Sequence, residues 1–280
     1  MRILLTGRNG QVGWELERIL PAAGDLIATD RTTLDLADEE AIRRFVREVR
    51  PDVIVNAAAY TAVDKAESEA ELARRVNGAA PGALAEEARR LDALLVHYST
   101  DYIFDGQKAA AYVEDDAPNP LNVYGRSKLE GERRVAASGC RFLILRTSWV
   151  YAPRGKNFFL TIAKKVRAGE ELRVVDDQRG VPTEARFLAQ TTLALLEENT
   201  EGLFHLVPRG ESTWHGFATQ IAKRLGSERP ITAIPSSAYP TPARRPLNSV
   251  LDSRKLSTAL AIPLPAWQSL LDRCMTAWSE

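Results

Sequence analysis

The feature that most limits what this chain can fold into is a glycine turn set directly after its first apolar run. Arg2 to Thr6 is short and apolar and reads as a buried strand. It runs into Gly7-Arg8-Asn9-Gly10-Gln11-Val12-Gly13, with a glycine at every third position. This G-x-x-G-x-x-G spacing is a relative of the dinucleotide fingerprint. Gly7 permits the tight turn off the strand. Gly10 lets backbone N–H groups approach a pyrophosphate, and Gly13 lets the next helix lie close to the sheet. That helix, expected from about Gln11 to Leu20, would turn its positive end on the phosphates.

The next segments repeat strand and helix. A second strand should end at Asp30, where a carboxylate can accept from an adenosine ribose. Asp30 favours NAD, whereas Arg31 beside it could pair with a 2′-phosphate and favour NADP, so cofactor preference stays open. Asp35 and Leu36 would sit near the adenine, with helix N-cap as the rival role of Asp35. Glu39 to Val49 reads as an amphipathic helix. Pro51 to Asn56 reads as a third strand, followed by Ala57, Ala58, Ala59, Tyr60 and Thr61, small enough at first for a flat cofactor to lie against backbone. Ala70 to Leu91 reads as one long helix and Leu94 to Tyr98 as a strand. Cys140 to Tyr151 reads as another strand, with Trp149 at its carboxyl end. Apolar strands alternating with helices imply an α/β fold, a doubly wound parallel sheet of Rossmann type.

The chemistry should lie in the middle of the chain. Tyr124-Gly125-Arg126-Ser127-Lys128 places a phenol and an ammonium on one helix face. A phenol near pKa 10 is a poor acid or base at neutral pH, and a neighbouring cation is expected to lower it. Such a pair is often only a solvated face, so its reading depends on its company. That company is the glycine turn and the segment Ser99-Thr100-Asp101, two hydroxyls and a carboxylate at a strand's carboxyl end. Thr100 can hydrogen-bond a carbonyl or alkoxide oxygen. His97, inside the strand, reads as a satisfied core residue. Together these features make a short-chain dehydrogenase/reductase site, in which Lys128 binds the nicotinamide ribose and Tyr124 gives a proton where hydride transfer creates negative charge.

Composition excludes several other classes. Lysine plus arginine and aspartate plus glutamate balance at 37 each, which argues against a nucleic-acid binder or a membrane-surface protein. Cys140 and Cys274 match no metal or disulfide spacing and suit a reducing compartment. The opening residues leave no room for a signal peptide, and no apolar run approaches a membrane span, so a cytoplasmic protein is expected.

Residues 1–150 are read as an NAD(P)-binding Rossmann domain. Residues 151–280 are read as mainly a substrate-binding domain, with part of 180–210 packing back on the first. Pro230 to Pro246 is expected to be extended loop, neither sheet nor helix. Arg244 and Arg245 lie in it, and guanidinium groups suit a diphosphate.

Over nearly its whole length the chain resembles the dTDP-4-dehydrorhamnose reductases. The motifs carrying the resemblance are Gly7 to Gly13, Asn56 to Glu67, Ser99 to Gly106, Pro120 to Gly125, Arg146 to Tyr151, Asn157-Phe158 and Arg244 to Ser249, of which the Asn-Ala-Ala-Ala, Arg-Thr-Ser-Trp and Arg-Arg-Pro-x-Asn-Ser segments are the narrow ones. The resemblance implies reduction of the C4 ketone of a dTDP-sugar with NADPH or NADH. It implies Gly10, Gln11 and Val12 at the pyrophosphate, Asp30 at the ribose, and Asp35 and Leu36 at the adenine. Ala59, Tyr60 and Thr61 would lie along the cofactor, and Tyr98 on the nicotinamide side. Thr100, Asp101, Trp149 and Asn157 would contact the sugar nucleotide. Some members of the family bind Mg²⁺ at a dimer contact through carboxylates. One such position matches Glu15, but another falls on Arg186, which cannot ligate Mg²⁺. No metal is therefore expected, and a homodimer is left open. The rival readings are a nucleotide-sugar epimerase or dehydratase with the same loop and Tyr/Lys pair, and a non-catalytic subunit that keeps the fold to bind a partner.

Overall fold

The opening segments β1 (Arg2–Thr6), β2 (Asp25–Thr29) and β3 (Val53–Asn56) alternate with helices α1 (Gln11–Ile19) and α2 (Glu39–Val49). The structure is a computed structural model and describes residues 1–279. After β3 come the short helices α3 (Val63–Ala66) and α4 (Ala70–Arg74), a π-helical turn over Arg75–Ala79, and α5 (Ala80–Leu91). Next are β4 (Leu94–Thr100), α6 (Val123–Ala137) and β5 (Arg141–Thr147). The remainder holds β6 (Val150–Tyr151), α7 (Phe158–Arg167), β7 (Arg173–Val175), β8 (Arg179–Gly180) and β9 (Thr183–Glu184). It continues through α8 (Ala185–Glu197), β10 (Gly202–His205), β11 (Ser212–Thr213), α9 (Trp214–Arg224) and β12 (Thr232–Ile234) to α10 (Arg254–Ala259) and α11 (Trp267–Ser279).

Six parallel strands form the central sheet in the order β10-β5-β4-β3-β1-β2. Both faces are covered, which is why its strands are apolar along their length instead of alternating. Ile3 and Leu5 of β1 pack with Leu16 of α1 and Leu188 of α8 on one face. Leu4 points the other way, to Ile42 of α2 and Leu84 of α5. From β1 the chain first moves outward to β2, then returns to place β3 on the opposite side. The switch point between β1 and β3 is where a doubly wound sheet opens a crevice at its carboxyl edge.

Helix α2 shows how local chemistry sets the boundaries. Asp38 caps it, accepting from Ala41 N at 3.0 Å, and Glu39 and Glu40 occupy its first turn. Arg50, at φ 49°, ends it in the left-handed region. The N-cap role considered for Asp35 therefore belongs to Asp38.

Two expectations about elements are corrected. The expected single helix from Ala70 to Leu91 is interrupted by the π turn. There α6 crosses so closely that a Cβ on Gly131 would lie 2.2 Å from the Asn77 carbonyl oxygen. The segment 230–246 is not all loop: Thr232–Ile234 pairs in parallel with Arg173–Val175, and Ser236–Ala238 forms a 3₁₀ turn. The three strand residues fall between Pro230 and Pro235, so no ladder position lacks its N–H.

Helix α8 packs on α1, and β10 extends the central sheet. A separate apolar cluster gathers Tyr151, Phe159, Phe217, Trp267 and Leu271 from β6, α7, α9 and α11.

Candidate active site

A cleft of about 760 Å³ opens at the carboxyl ends of β1, β3 and β4. Its floor is the glycine turn. Gly7 adopts φ 78°, and a Cβ there would meet Ala58 Cα at 2.7 Å. A Cβ on Gly13 would lie 2.0 Å from the Gly7 carbonyl oxygen, so only glycine lets α1 start this close to the strand. The Gly10 N–H donates to the Gly7 carbonyl at 2.9 Å and closes the turn, and Gly10 itself lines the cleft. No side chain caps α1, which leaves the N–H groups of its first turn for whatever fills the cleft.

Gln11, Val12, Asp30, Arg31, Asp35 and Leu36 all line this cleft, as do Ala58, Ala59, Tyr60 and Thr61 on its other wall. Asp30 accepts from Thr32 N and Oγ1 at 2.9 and 2.7 Å, and from Asn9 Nδ2 at 3.1 Å. Those bonds, the Thr32 hydroxyl foremost, hold its carboxyl down at about 2. Arg31 extends into solvent, 3.9 Å from Asp35. Tyr60 donates to Glu69 at 2.6 Å, which pushes its phenol up to about 12.

At the far end stand Tyr98, Tyr124 and Lys128. Asn122 caps α6, accepting from Gly125 N at 2.8 Å, and so starts the helix where Tyr124 and Lys128 turn inward. A Cβ on Gly125 would lie 2.1 Å from the Tyr102 carbonyl oxygen, so glycine there brings α6 against the segment after β4. The Lys128 ammonium donates to the Tyr98 carbonyl at 2.5 Å and lies 3.3 Å from His97 Nε2. Burial brings Lys128 down to about 8, with Glu132 acting against it. The expected lowering of the Tyr124 phenol is not found. Desolvation pushes it up to about 12, against the hydrogen bond it shares with Thr100. Lys128 is anchored to β4, and Tyr124 stays a neutral phenol at physiological pH.

Some expected contacts are otherwise engaged. Thr100 is buried, accepts from Tyr102 N at 3.2 Å and donates to Asp101 Oδ1 at 3.0 Å. Burial raises Asp101 to about 7, against hydrogen bonds from Ser249 and Thr100. Tyr98 turns its hydroxyl away to Thr192 of α8 at 2.6 Å and offers its backbone instead. Trp149 sits at φ 45° and stacks on Trp214 with ring centroids 3.7 Å apart. Asn157, expected at the substrate, is committed to structure. It caps α7 through Leu160 N and donates to Gln11 Oε1 at 2.7 Å and to the carbonyls of Ala152 and Arg154. Arg245, expected to clamp a diphosphate, grips Asp64 through its two terminal guanidinium nitrogens, Nη1 and Nη2, at 3.0 and 2.9 Å. Arg244 is exposed and lines a second cleft of about 590 Å³ beside Gln178 and Tyr239.

Several participants escaped the sequence reading. Asn77 accepts from Tyr60 N at 2.8 Å and donates to Tyr60 O and Ser127 Oγ, tying the cofactor-side loop to α6. An Asn-Gly pair inside a helical run is a poor helix former, and that was its only signal. Arg154, Gly155 and Lys156, brought from the C-terminal side, also line the main cleft.

The cleft suits a dinucleotide. It joins an uncapped helix N-terminus, close-approach glycines and the buried hydroxyls of Ser99 and Thr147, which have no partner among the described residues. The donor set near Glu15 does not suit Mg²⁺. Burial raises the Glu15 carboxyl, the charges around it include Arg186, Arg18 and Arg273, and Glu184 is paired with Arg273. No group of three or more His, Cys, Asp or Glu converges among the described residues.

The sequence pattern of the family described as the RmlD substrate binding domain matches residues 1–279. The chain belongs to this family. A curated relative, the dTDP-4-dehydrorhamnose reductase of Burkholderia thailandensis, is 46% identical over 293 residues, covering 98% of each chain. A dTDP-4-dehydrorhamnose reductase from Clostridium acetobutylicum superposes with TM-score 0.95 at 36% identity, covering 100% of both chains. That of Bacillus anthracis, in complex with NADP, gives TM-score 0.95 at 32% identity over 99% of each. Family members thus share the whole architecture described above, including the C-terminal part, and one of them holds a nicotinamide dinucleotide.

Proposed function

We propose that this family member is a dTDP-4-dehydrorhamnose reductase. It uses NADPH or NADH to reduce the C4 ketone of dTDP-4-dehydro-β-L-rhamnose to dTDP-L-rhamnose. One observation carries the reading: a neutral phenol, Tyr124, stands at the end of a cleft built for a dinucleotide.

The bound reduced nicotinamide supplies a hydride. The chain's own residues do the rest. The first-turn N–H groups of α1 and the Gly7–Gly13 turn receive the pyrophosphate, and Asp30 accepts from the adenosine ribose. Tyr124 gives its phenolic proton to the oxygen that becomes the C4 hydroxyl. A phenol near 12 is a donor that stays loaded at neutral pH, which suits reduction better than oxidation. Thr100, once its hydroxyl turns from Asp101, steadies that oxygen together with Tyr124. The Lys128 charge offsets the phenolate left behind and holds the nicotinamide ribose. Trp149 gives the sugar an apolar wall once it leaves its stack on Trp214, and Arg244 reaches the diphosphate from the second cleft.

On this reading residues 1–150, joined by Arg154, Gly155 and Lys156, hold the cofactor. Residues 151–280 mainly supply the sugar-nucleotide side, apart from α8 and β10. The two buried free cysteines suit the cytoplasm, and a homodimer is left open. No helix among the described residues is long and apolar enough to cross a membrane.

Oxidation of NADPH and NADH, followed with dTDP-4-dehydro-β-L-rhamnose, tests the reading. Turnover with either cofactor is expected, and none with either would overturn it. Stoichiometric NAD⁺ retained through purification would point instead to an epimerase or dehydratase.

A further inference from the structure

A row of buried polar side chains crosses the sheet beneath Lys128. Thr6, Asn56 and His97 are register partners on β1, β3 and β4: Thr6 lies opposite Asn56, and Asn56 opposite His97. Strand alternation puts all three on the face of Leu4 and Ile54, toward α6. Their exposures are 1%, 1% and 0%, so bulk solvent does not reach them. The links are short. Thr6 Oγ1 is 2.7 Å from Asn56 Oδ1, Asn56 Nδ2 is 3.1 Å from His97 Nδ1, and His97 Nε2 is 3.3 Å from Lys128 Nζ. Three polar residues in adjacent central strands is a costly placement unless each satisfies the next.

Proton counting shows what the row can do. A neutral imidazole carries one N–H and one acceptor, and an ammonium can only donate. If the Asn56 amide nitrogen faces the ring, His97 Nδ1 accepts and its proton sits on Nε2, aimed at Lys128. That arrangement needs a neutral amine. If the amide is turned over, Nδ1–H donates to the Asn56 oxygen and Nε2 accepts from the ammonium. Oxygen and nitrogen of the amide have nearly the same shape, so both arrangements fit.

We propose that His97 is the positioning residue of Lys128: a neutral imidazole, protonated at Nδ1 by its bond to Asn56, whose bare Nε2 holds the charged amine. Lys128 then spends one N–H on the Tyr98 carbonyl and one on His97. The third is left to point into the cleft that Lys128 lines. The ammonium becomes an aimed donor in place of a swinging one. The imidazole itself stays uncharged, because burial and Lys128 hold its pKa well below the usual value. The ionisable groups acting on Lys128 are His97 from β4 and Glu132 from α6, the latter paired with Arg146 of β5.

The proposal deepens the reductase reading, but its first test does not depend on turnover. Imidazole ¹⁵N shifts of the unsubstituted protein, with its three histidines assigned through the backbone, report the tautomer directly. His97 is expected with Nδ1 protonated and Nε2 bare at neutral pH. A proton on Nε2, or an imidazolium, would overturn the proposal. The second test compares the alkaline limb of kcat in His97→Leu and His97→Gln. Losing the acceptor makes the ammonium easier to deprotonate, so in His97→Leu the limb should move down by roughly one pH unit. Gln, whose side-chain oxygen can reach the place of Nε2, should restore it. An unmoved limb in the Leu variant overturns the proposal. Absent turnover in the unsubstituted enzyme, with the expected tautomer, would count against the reductase reading alone.

Discussion

The Lys128 ammonium lies 2.5 Å from the backbone carbonyl oxygen of Tyr98, so the lysine of the Tyr-x-x-x-Lys helix is fixed to the neighbouring strand and not to its tyrosine. The two catalytic candidates are thereby tuned separately. Burial brings the amine down to about 8 and pushes the phenol up to about 12. Between those values the amine loses its proton while the phenol keeps its own.

Tyr124→Phe removes the proton donor and leaves the cleft's shape intact. The turnover number should fall by about 10²- to 10⁴-fold, the range of a lost general acid. NADPH affinity, measured by fluorescence titration, should stay within about threefold, because the phosphates are received by the glycine turn and the start of α1 and not by Tyr124. Equal losses in both would contradict the assigned role.

Asp101 makes stability depend on pH. Its carboxyl titrates at about 7 in the fold and near 4 in the unfolded chain. The native state therefore binds the proton more tightly. The stability this brings is fully present below about pH 4 and is lost as pH rises through 7. Asp101→Asn removes the buried charge, so at pH 8 it should unfold about 2–4 kcal/mol later than the unsubstituted protein. At pH 4 that gain should vanish. Urea unfolding at the two pH values decides it.

Gly13→Ala should cost about 3 kcal/mol or more, since the new methyl would meet the Gly7 carbonyl and neither backbone can yield. Gly10→Ala should cost about 1 kcal/mol or less, because its Cβ would lie 3.3 Å from the same oxygen. Thermal unfolding of the two variants should separate them clearly, although in sequence both are members of one motif.

The adjacent arginines should behave differently. Arg245→Ala breaks the bidentate grip on Asp64 and should lower stability by about 1 kcal/mol, discounted because the Asp64 carboxylate is 41% exposed. Arg244→Ala should leave stability unchanged and raise KM for the sugar nucleotide by about tenfold. A reversed pattern would reassign both residues.

The sequence by itself determined the sheet and its crevice. Apolar runs in β1, β3 and β4 can be buried only in a two-sided sheet, and the glycines at 7 and 13 have backbone reasons that no partner changes. Tyr124 and Lys128 sharing a helix face is likewise a matter of local periodicity. Tertiary structure decided how side chains with several possible partners were used. Asn157 and Arg245 carry groups suited to a ligand, and only the chain distances closed by folding show them spent on Gln11 and Asp64. Asn77 and His97 act through residues 17 to 50 positions away, so nothing in their local sequence names the partner. The same holds for the direction of the Tyr124 shift. A cation four residues on argues downward, but the folded surroundings desolvate the phenol and bring the Asp101 charge near it, with only the Thr100 hydrogen bond acting the other way, and burial is a property the linear chain does not possess.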